Sequence, residues 1–244
     1  MVDHTCVNAD QIPQAYLDQA RQLDVLFAHQ SVGGNIMEGI ADLQSQNWTR
    51  YHIDVAYNEP ASWHDTHDGI GHRTDGFCCN FQPERKVSGF DNLIRSVGFG
   101  QKVDVAFMKF CYVDFICRDW WGQIPAQEVW ETYRQAMEAL EADYPNVTFV
   151  WWTAPLHSYY CNDEKALYNG LIRNYCIANG KVLFDLAAIE SHDPEGNPVL
   201  DGSGYEALYT GYTTDGGHLN EVGRQRVARA LWWLLAAICG WQAS

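Results

Sequence analysis

The chain has 244 residues, 47% of them apolar, which is enough to close a sizeable core, and a formal net charge of −15. So acidic a protein is poorly suited to neutralising phosphates, which argues against nucleic acid or an anionic membrane surface as its main partner. Its strongest apolar stretch, Leu231 to Ile238, is too short to span a bilayer, so no transmembrane segment is expected.

Residues 11 to 22 read as a leading helix. Val25-Leu26-Phe27-Ala28 is a short apolar run, the pattern of a parallel strand buried on both faces. It turns through His29-Gln30-Ser31 into a segment with helical spacing, Ile36, Ile40 and Leu43. A serine at such a turn holds its Oγ at the rim of a sheet, and the first free N–H groups of the helix point into the same space. A serine nucleophile needs that arrangement, because the oxyanion of its tetrahedral intermediate must find donors beside the attacked carbon.

Tyr51 to Tyr57 alternates and is the second predicted strand. Residues 58 to 88 lack a clear period and are read as an insertion over the carboxyl edge of the sheet. Within it His64, Asp65, His67, Asp68 and His72 lack a second ligand pair of recognisable spacing, so they read as a polar lid and not as a metal site. Cys78 and Cys79 are adjacent; the expectation is that each bonds elsewhere, or that one stays free, rather than that they join one another.

Ser88-Gly89-Phe90 opens the next predicted helix. Val103 to Lys109 is a third strand running into Phe110-Cys111-Tyr112-Val113-Asp114. Gln127 to Ala142 is an amphipathic helix with Trp130, Tyr133, Met137 and Leu140 on one face. Val147 to Trp152 is the fourth strand, and Thr153 to Cys161 a loop with His157. Asn162 caps a helix that ends at Gly180, and Val182 to Asp185 is the fifth strand. An irregular stretch, 187 to 217, leads to Thr214-Asp215-Gly216-Gly217-His218-Leu219-Asn220 and a long final helix, Glu221 to Ile238. Asp215 and His218 stand three apart in a glycine turn, so both can serve one site. The carboxylate would orient and charge-stabilise an imidazole acting as base toward Ser31.

Strands alternating with helices at this spacing predict a three-layer α/β/α architecture with a five-stranded parallel sheet, in the flavodoxin-like order 2-1-3-4-5. Ligands then bind at the carboxyl ends of the strands, beside the switch point next to strand one. No repeat, low-complexity tract or linker interrupts the chain, so 1-244 is read as a single domain with irregular insertions near 58-88 and 187-217. The eight cysteines form an even set, several in predicted loops. That points to an oxidising compartment, secreted or periplasmic, with a cytosolic protein of buried thiols as the alternative. The first six residues do not read as a signal peptide, and one is taken to have been removed.

Ser31 just after the first strand, with Asp-x-x-His before the last helix, resembles the SGNH (GDSL-like) hydrolase superfamily, over about residues 23 to 237. The first block of that family is usually Gly-Asp-Ser; here it is His29-Gln30-Ser31. The closing block, Asp215 to His218, matches. His29-x-Ser31-x-Gly33 is also faintly similar to the nucleophile elbow of α/β-hydrolases, but that elbow follows several strands and has its acid and base on separate loops. The SGNH resemblance implies Ser31, His218 and Asp215 as nucleophile, base and orienting acid, and an oxyanion hole built from the N–H groups of Ser31 and Gly89. The family's third block, Gly-x-Asn-Asp, is altered: Cys111 stands for the Gly and Val113 for the Asn. The missing donor leaves the Tyr112 hydroxyl, a backbone N–H between Cys111 and Asp114, or Asn35 as replacements. His29, Gln30, Asn35, Trp63 and Trp120 are the expected substrate contacts. Of the ten tryptophans, Trp63, Trp120 and Trp121 lie in loops where they could stack on sugars, whereas Trp151, Trp152, Trp232 and Trp233 read as core. Cys111 and Cys117, flanking a short loop after strand three, are the first candidates for a disulfide.

The function implied is a serine esterase acting on a small-molecule or polysaccharide ester, most naturally acetyl esters of a carbohydrate, with no metal and no organic cofactor. The altered first and third blocks leave two alternatives, a carbohydrate-binding protein without efficient catalysis and an O-acyltransferase.

Overall fold

The computed structural model describes residues 1–115, 124–159 and 161–243. The apolar run after the leading helix α1 (Gln14–Ala20) forms β1 (Asp24–Ala28), the central strand. It pairs in parallel with β3 (Gly69–Arg73) on one side and β4 (Val105–Met108) on the other. Beyond β3 lies β2 (Val55–Tyr57), and beyond β4 lies β5 (Thr148–Phe149), so the parallel five-stranded sheet has the order 2-3-1-4-5. Past Val150 the chain continues as β6 (Trp151–Trp152), which pairs in parallel with β7 (Leu183–Phe184).

The α/β architecture and the parallel sheet are as expected; one strand is additional. Between strand one and the strand at 55–57 sits β3, drawn from the stretch read as irregular. Its sequence, Gly-Ile-Gly-His-Arg, has one apolar side chain, so hydrophobic periodicity cannot reveal it. The segment before it is also placed differently. His64, in a short 3-10 turn (Ala61–Asp65), is buried with Nδ1 2.9 Å from Asp24 Oδ1, at the amino end of β1. This part of the stretch therefore packs under the amino edge of the sheet, not over the carboxyl edge.

Successive side chains of a strand point to opposite faces, and β1 divides accordingly. Val25 and Phe27 join a core with α1, α2 (Val32–Gln46) and α8 (Glu221–Ile238). Leu26 and Ala28 join another with α4 (Pro83–Arg95), α5 (Ala126–Asp143) and α6 (Asp163–Asn179). Trp151, Trp152 and Trp232 are fully buried, and Trp233 packs half-buried against the first core. Two further α-helices, α3 (Trp48–Tyr51) and α7 (Leu186–Glu190), are short.

The packing of α2 against α8 bears directly on the site, because α2 begins just after Ser31 and α8 just after His218. The two helices touch through Gly39, where a Cβ would lie 2.3 Å from the carbonyl oxygen of Arg224. The Arg224 side chain then reaches back across α2, with Nε 2.7 Å from Asp42 Oδ2 and Nη1 3.1 Å from Glu38 Oε2. Among the described residues no helix is long and apolar enough to cross a membrane.

Candidate active site

At the carboxyl end of β1 the chain reverses through Ser31, whose backbone lies in the left-handed half of conformational space (φ +52°). A non-glycine residue holds such a conformation only where its surroundings enforce it. Gln30 supplies one restraint: its Nε2 donates to the carbonyls of Thr74 (2.9 Å) and Phe77 (2.8 Å) in the loop after β3. Asn35, on the first turn of α2, supplies another by accepting the Leu219 N–H (3.2 Å), which ties α2 to the turn bearing His218.

That second turn is closed by a bridge between Thr213 and Leu219 and leads into α8, capped by the Asn220 side chain on the Gly223 N–H. Asp215 is its organiser. Its Oδ1 accepts the N–H groups of Gly217 (2.9 Å) and His218 (2.8 Å), while Oδ2 lies 2.6 Å from His218 Nδ1. Desolvation pulls the carboxyl pKa upward, but these N–H donors and the His218 ring outweigh it and hold the group well below the usual carboxylate range. Gly216 takes a positive φ (+92°), and a Cβ on Gly217 would lie 2.4 Å from the Tyr112 ring. Both glycines are therefore needed for the turn to sit against its aromatic neighbours.

The far side of the imidazole completes the constellation: His218 Nε2 is 2.6 Å from Ser31 Oγ. A hydroxyl, an imidazole and a carboxylate stand in one hydrogen-bonded line, the arrangement that lets a serine oxygen lose its proton as it attacks. The Tyr112 ring packs edge-on against His218, and its hydroxyl is 3.5 Å from Nδ1, the nitrogen that faces Asp215. It is therefore placed to act on the imidazole, and not on an oxygen bound beside Ser31 as the sequence suggested. His157 and the exposed Tyr159 close the site beside Gly216. Both were missed as site residues, since nothing in their loop marks which way it folds.

Several expected contacts are placed elsewhere. Gly89 is not at a helix start: α4 begins six residues earlier, with Pro83 in its first turn, so the Gly89 N–H belongs to the helix ladder. It provides no oxyanion donor. His29 is 2% exposed, with Nε2 2.9 Å from His72 Nδ1, so it lies beneath the site and out of reach of a ligand. The amides of Gln30 and Asn35 hold the frame as described. Trp63 neighbours His64 at the amino edge of the sheet, the opposite end from Ser31, and stacks on His67. Trp120, Trp121 and Cys117 lie outside the described residues. Cys111 is a free, buried thiol, so the expected Cys111–Cys117 bridge is not formed. Cys78 and Cys79 are bonded to each other, across a cis peptide, contrary to expectation. The histidines and aspartates between 64 and 72 separate, His64 to Asp24, Asp65 to Lys102 and His72 to His29. Among the described residues no group of three or more His, Cys, Asp or Glu is placed to hold a metal ion.

Beside the Tyr112 turn lies a buried ion pair that the sequence does not announce. Lys86 Nζ is 2.5 Å from Asp114 Oδ2, both side chains wholly buried. Asp114 also accepts the Cys111 N–H (2.7 Å) and the Phe81 N–H (3.0 Å). The turn and the loop after β3 thus share one carboxylate.

The His29–His72 pair makes part of the stability depend on pH. Burial pushes the His72 pKa down to about 4, and burial, aided by Lys109 and His72, pushes His29 well below its ordinary value. In the unfolded chain both titrate near ~6.5, so below that pH the unfolded state binds more protons. Their contribution is complete above that pH and is lost as pH falls through the folded-state values. Burial raises the Glu190 carboxyl to about 8, which acts in the opposite direction, so the histidine effect is read as a difference. Between pH 7 and pH 4.5 the melting temperature of the unsubstituted protein should fall further than that of His72→Gln. Parallel curves would remove His72 from the account.

No protein-family profile matches the chain, and no curated protein matches it in sequence. Solved structures match it in fold. An acetyl xylan esterase superposes with a TM-score of 0.57 at 18% identity, covering 86% of this chain and 98% of its own. A GDSL-like lipase from Bacteroides thetaiotaomicron gives 0.56 at 11% identity, over 95% of this chain and 98% of its own. A catalytic mutant of an acetylxylan esterase from Geobacillus stearothermophilus gives 0.51 at 11% identity, over 87% and 94%. The chain has the fold of the SGNH (GDSL-like) hydrolases.

Proposed function

We propose that the protein is a serine carboxylic ester hydrolase that removes acetyl groups from a carbohydrate. The observation that carries this reading is the line Ser31 Oγ to His218 Nε2 (2.6 Å) and His218 Nδ1 to Asp215 Oδ2 (2.6 Å), at the carboxyl end of the central strand. Ser31 attacks the ester carbonyl as His218 takes its proton. The tetrahedral intermediate collapses to an acetyl-serine, and His218 protonates the departing sugar oxygen. Water then attacks the acetyl-serine with His218 again as base, and acetate leaves as Ser31 regains its proton.

The oxyanion falls to two backbone donors in this reading. The N–H groups of Ser31 and Val113 have no hydrogen-bond partner among the described residues, whereas those of Cys111 and Asp114 are used within their own turn. A backbone donor at Val113 would replace the missing family asparagine without needing any particular side chain. Tyr112 orients the imidazole. The acetylated-carbohydrate preference is supported by the fold shared with acetyl xylan esterases, and an oxidising compartment by the Cys78–Cys79 disulfide.

A fluorophosphonate probe tests the reading. It should add once per chain, on Ser31, with the adduct located by mass spectrometry of the digested protein. Labelling at another residue, or none under conditions that label a known serine esterase, would sink the proposal.

A further inference from the structure

We propose that Phe81, together with the adjoining Cys78–Cys79 disulfide, is the platform on which the sugar ring bearing the ester stacks. The inference rests on the ester-hydrolase reading above and adds to it the residues that recognise the alcohol part of the substrate.

Phe81 is an aromatic side chain left 56% exposed on a backbone that is anything but loose. Its φ is +66°, a conformation that a bulky residue holds only under constraint. Four restraints act on the segment that carries it. Phe77 is fully buried and its carbonyl accepts from Gln30, the residue before Ser31. Cys78 and Cys79 are closed by their disulfide. Asn80 Oδ1 accepts from the buried Lys86 ammonium (3.1 Å), and the Phe81 N–H donates to the buried Asp114. Segment 78–81 is thus strung between the residue that precedes the nucleophile and the turn whose Tyr112 touches His218. Both of its anchors adjoin the catalytic line, since Gln30 is next to Ser31 and Tyr112 packs on His218.

A rigid, exposed aromatic anchored beside a site binds at low entropic cost, because little is left to order. A pyranose offers the matching surface, a face of C–H groups ringed by hydroxyls. It packs against an aromatic face and against polarisable sulfur while its hydroxyls stay in water. The charge points the same way: a protein of net charge −15 favours a neutral sugar over an anionic one.

The test has a binding arm and a turnover arm, each using an acetylated xylo-oligosaccharide. In calorimetry on the Ser31→Ala background, Phe81→Ala should weaken binding about 3- to 10-fold, the range expected for one aromatic contact. Phe81→Trp should retain it. In the active protein, Phe81→Ala should lower the ratio of kcat/KM for the oligosaccharide to that for ethyl acetate by about the same factor, through KM. The Cys78→Ser/Cys79→Ser variant should weaken oligosaccharide binding in the same direction; unchanged binding would take the disulfide out of the platform. An unchanged Kd and an unchanged ratio in Phe81→Ala would overturn the proposal. So would an equal loss on both esters, which would mark Phe81 as merely structural. If Ser31 forms no adduct and ethyl acetate is not turned over, the hydrolase reading fails, while the binding arm still decides the platform.

Discussion

Ser31→Ala is expected to lower kcat for an acetyl ester by about a millionfold, the loss seen when an unrelated serine protease is stripped of its nucleophile. His218→Ala should cost about as much, because hydroxyl and imidazole act as one unit and neither retains the role without the other. Asp215→Ala should cost less, about ten-thousandfold, since the imidazole keeps its contact with Ser31 and loses only its orienting partner. Combining the three should add little to the first. Initial rates of acetate release, with thermal melts to show that each variant remains folded, check the set. A Ser31→Ala protein that keeps most of its rate would exclude Ser31 as the nucleophile.

Asp114→Ala should give the second large effect, on stability. Removing this carboxylate leaves the Lys86 ammonium wholly buried with no countercharge, and leaves the Cys111 and Phe81 N–H groups without their acceptor. Breaking a buried pair by deleting one partner costs about 3–5 kcal/mol, much more than an exposed pair contributes. Urea unfolding should show the loss as a lower midpoint with little change in slope. Arg134→Ala, which breaks exposed pairs to Glu131 and Glu138, is the control and should change stability by less than about 1 kcal/mol. Similar midpoints for the two variants would mean that the buried pair is not the anchor its geometry implies.

Ser31, Asp215 and His218 could be singled out before any coordinates because each lies at a junction with a local signature. An apolar run turns into helical spacing at Ser31, and an Asp-x-x-His glycine turn precedes a long amphipathic helix. What failed was whatever depended on direction or depth. The strand at 69–73 escaped because Gly69 and Gly71 dilute its pattern and its hydrogen bonds come from neighbours distant in the chain. Trp63 lies at the amino edge, and periodicity does not say which edge of the sheet a loop crosses. Family spacing puts Gly89 at a helix start, whereas Pro83 marks the true one six residues earlier. Lys86 and Asp114, 28 residues apart, carry no sequence signal at all; only burial reveals that they are paired.

The contact at Gly39 and Arg224 has a consequence for how the protein comes into being. Ser31 and His218 are separated by 187 positions along the chain, and each stands at the head of one of the two helices joined there. The strand that positions the serine is translated well before the helix that follows the histidine. During synthesis the Ser31 hydroxyl therefore waits through 187 further positions for its imidazole partner. The apolar flank of α2, with Ile36, Ile40 and Leu43, likewise waits uncovered for α8. Closing so distant a pair comes late and slowly, because the whole intervening loop must first lose its freedom. The hydroxyl–imidazole contact is therefore a product of long-range packing, made only when α2 and α8 have found each other.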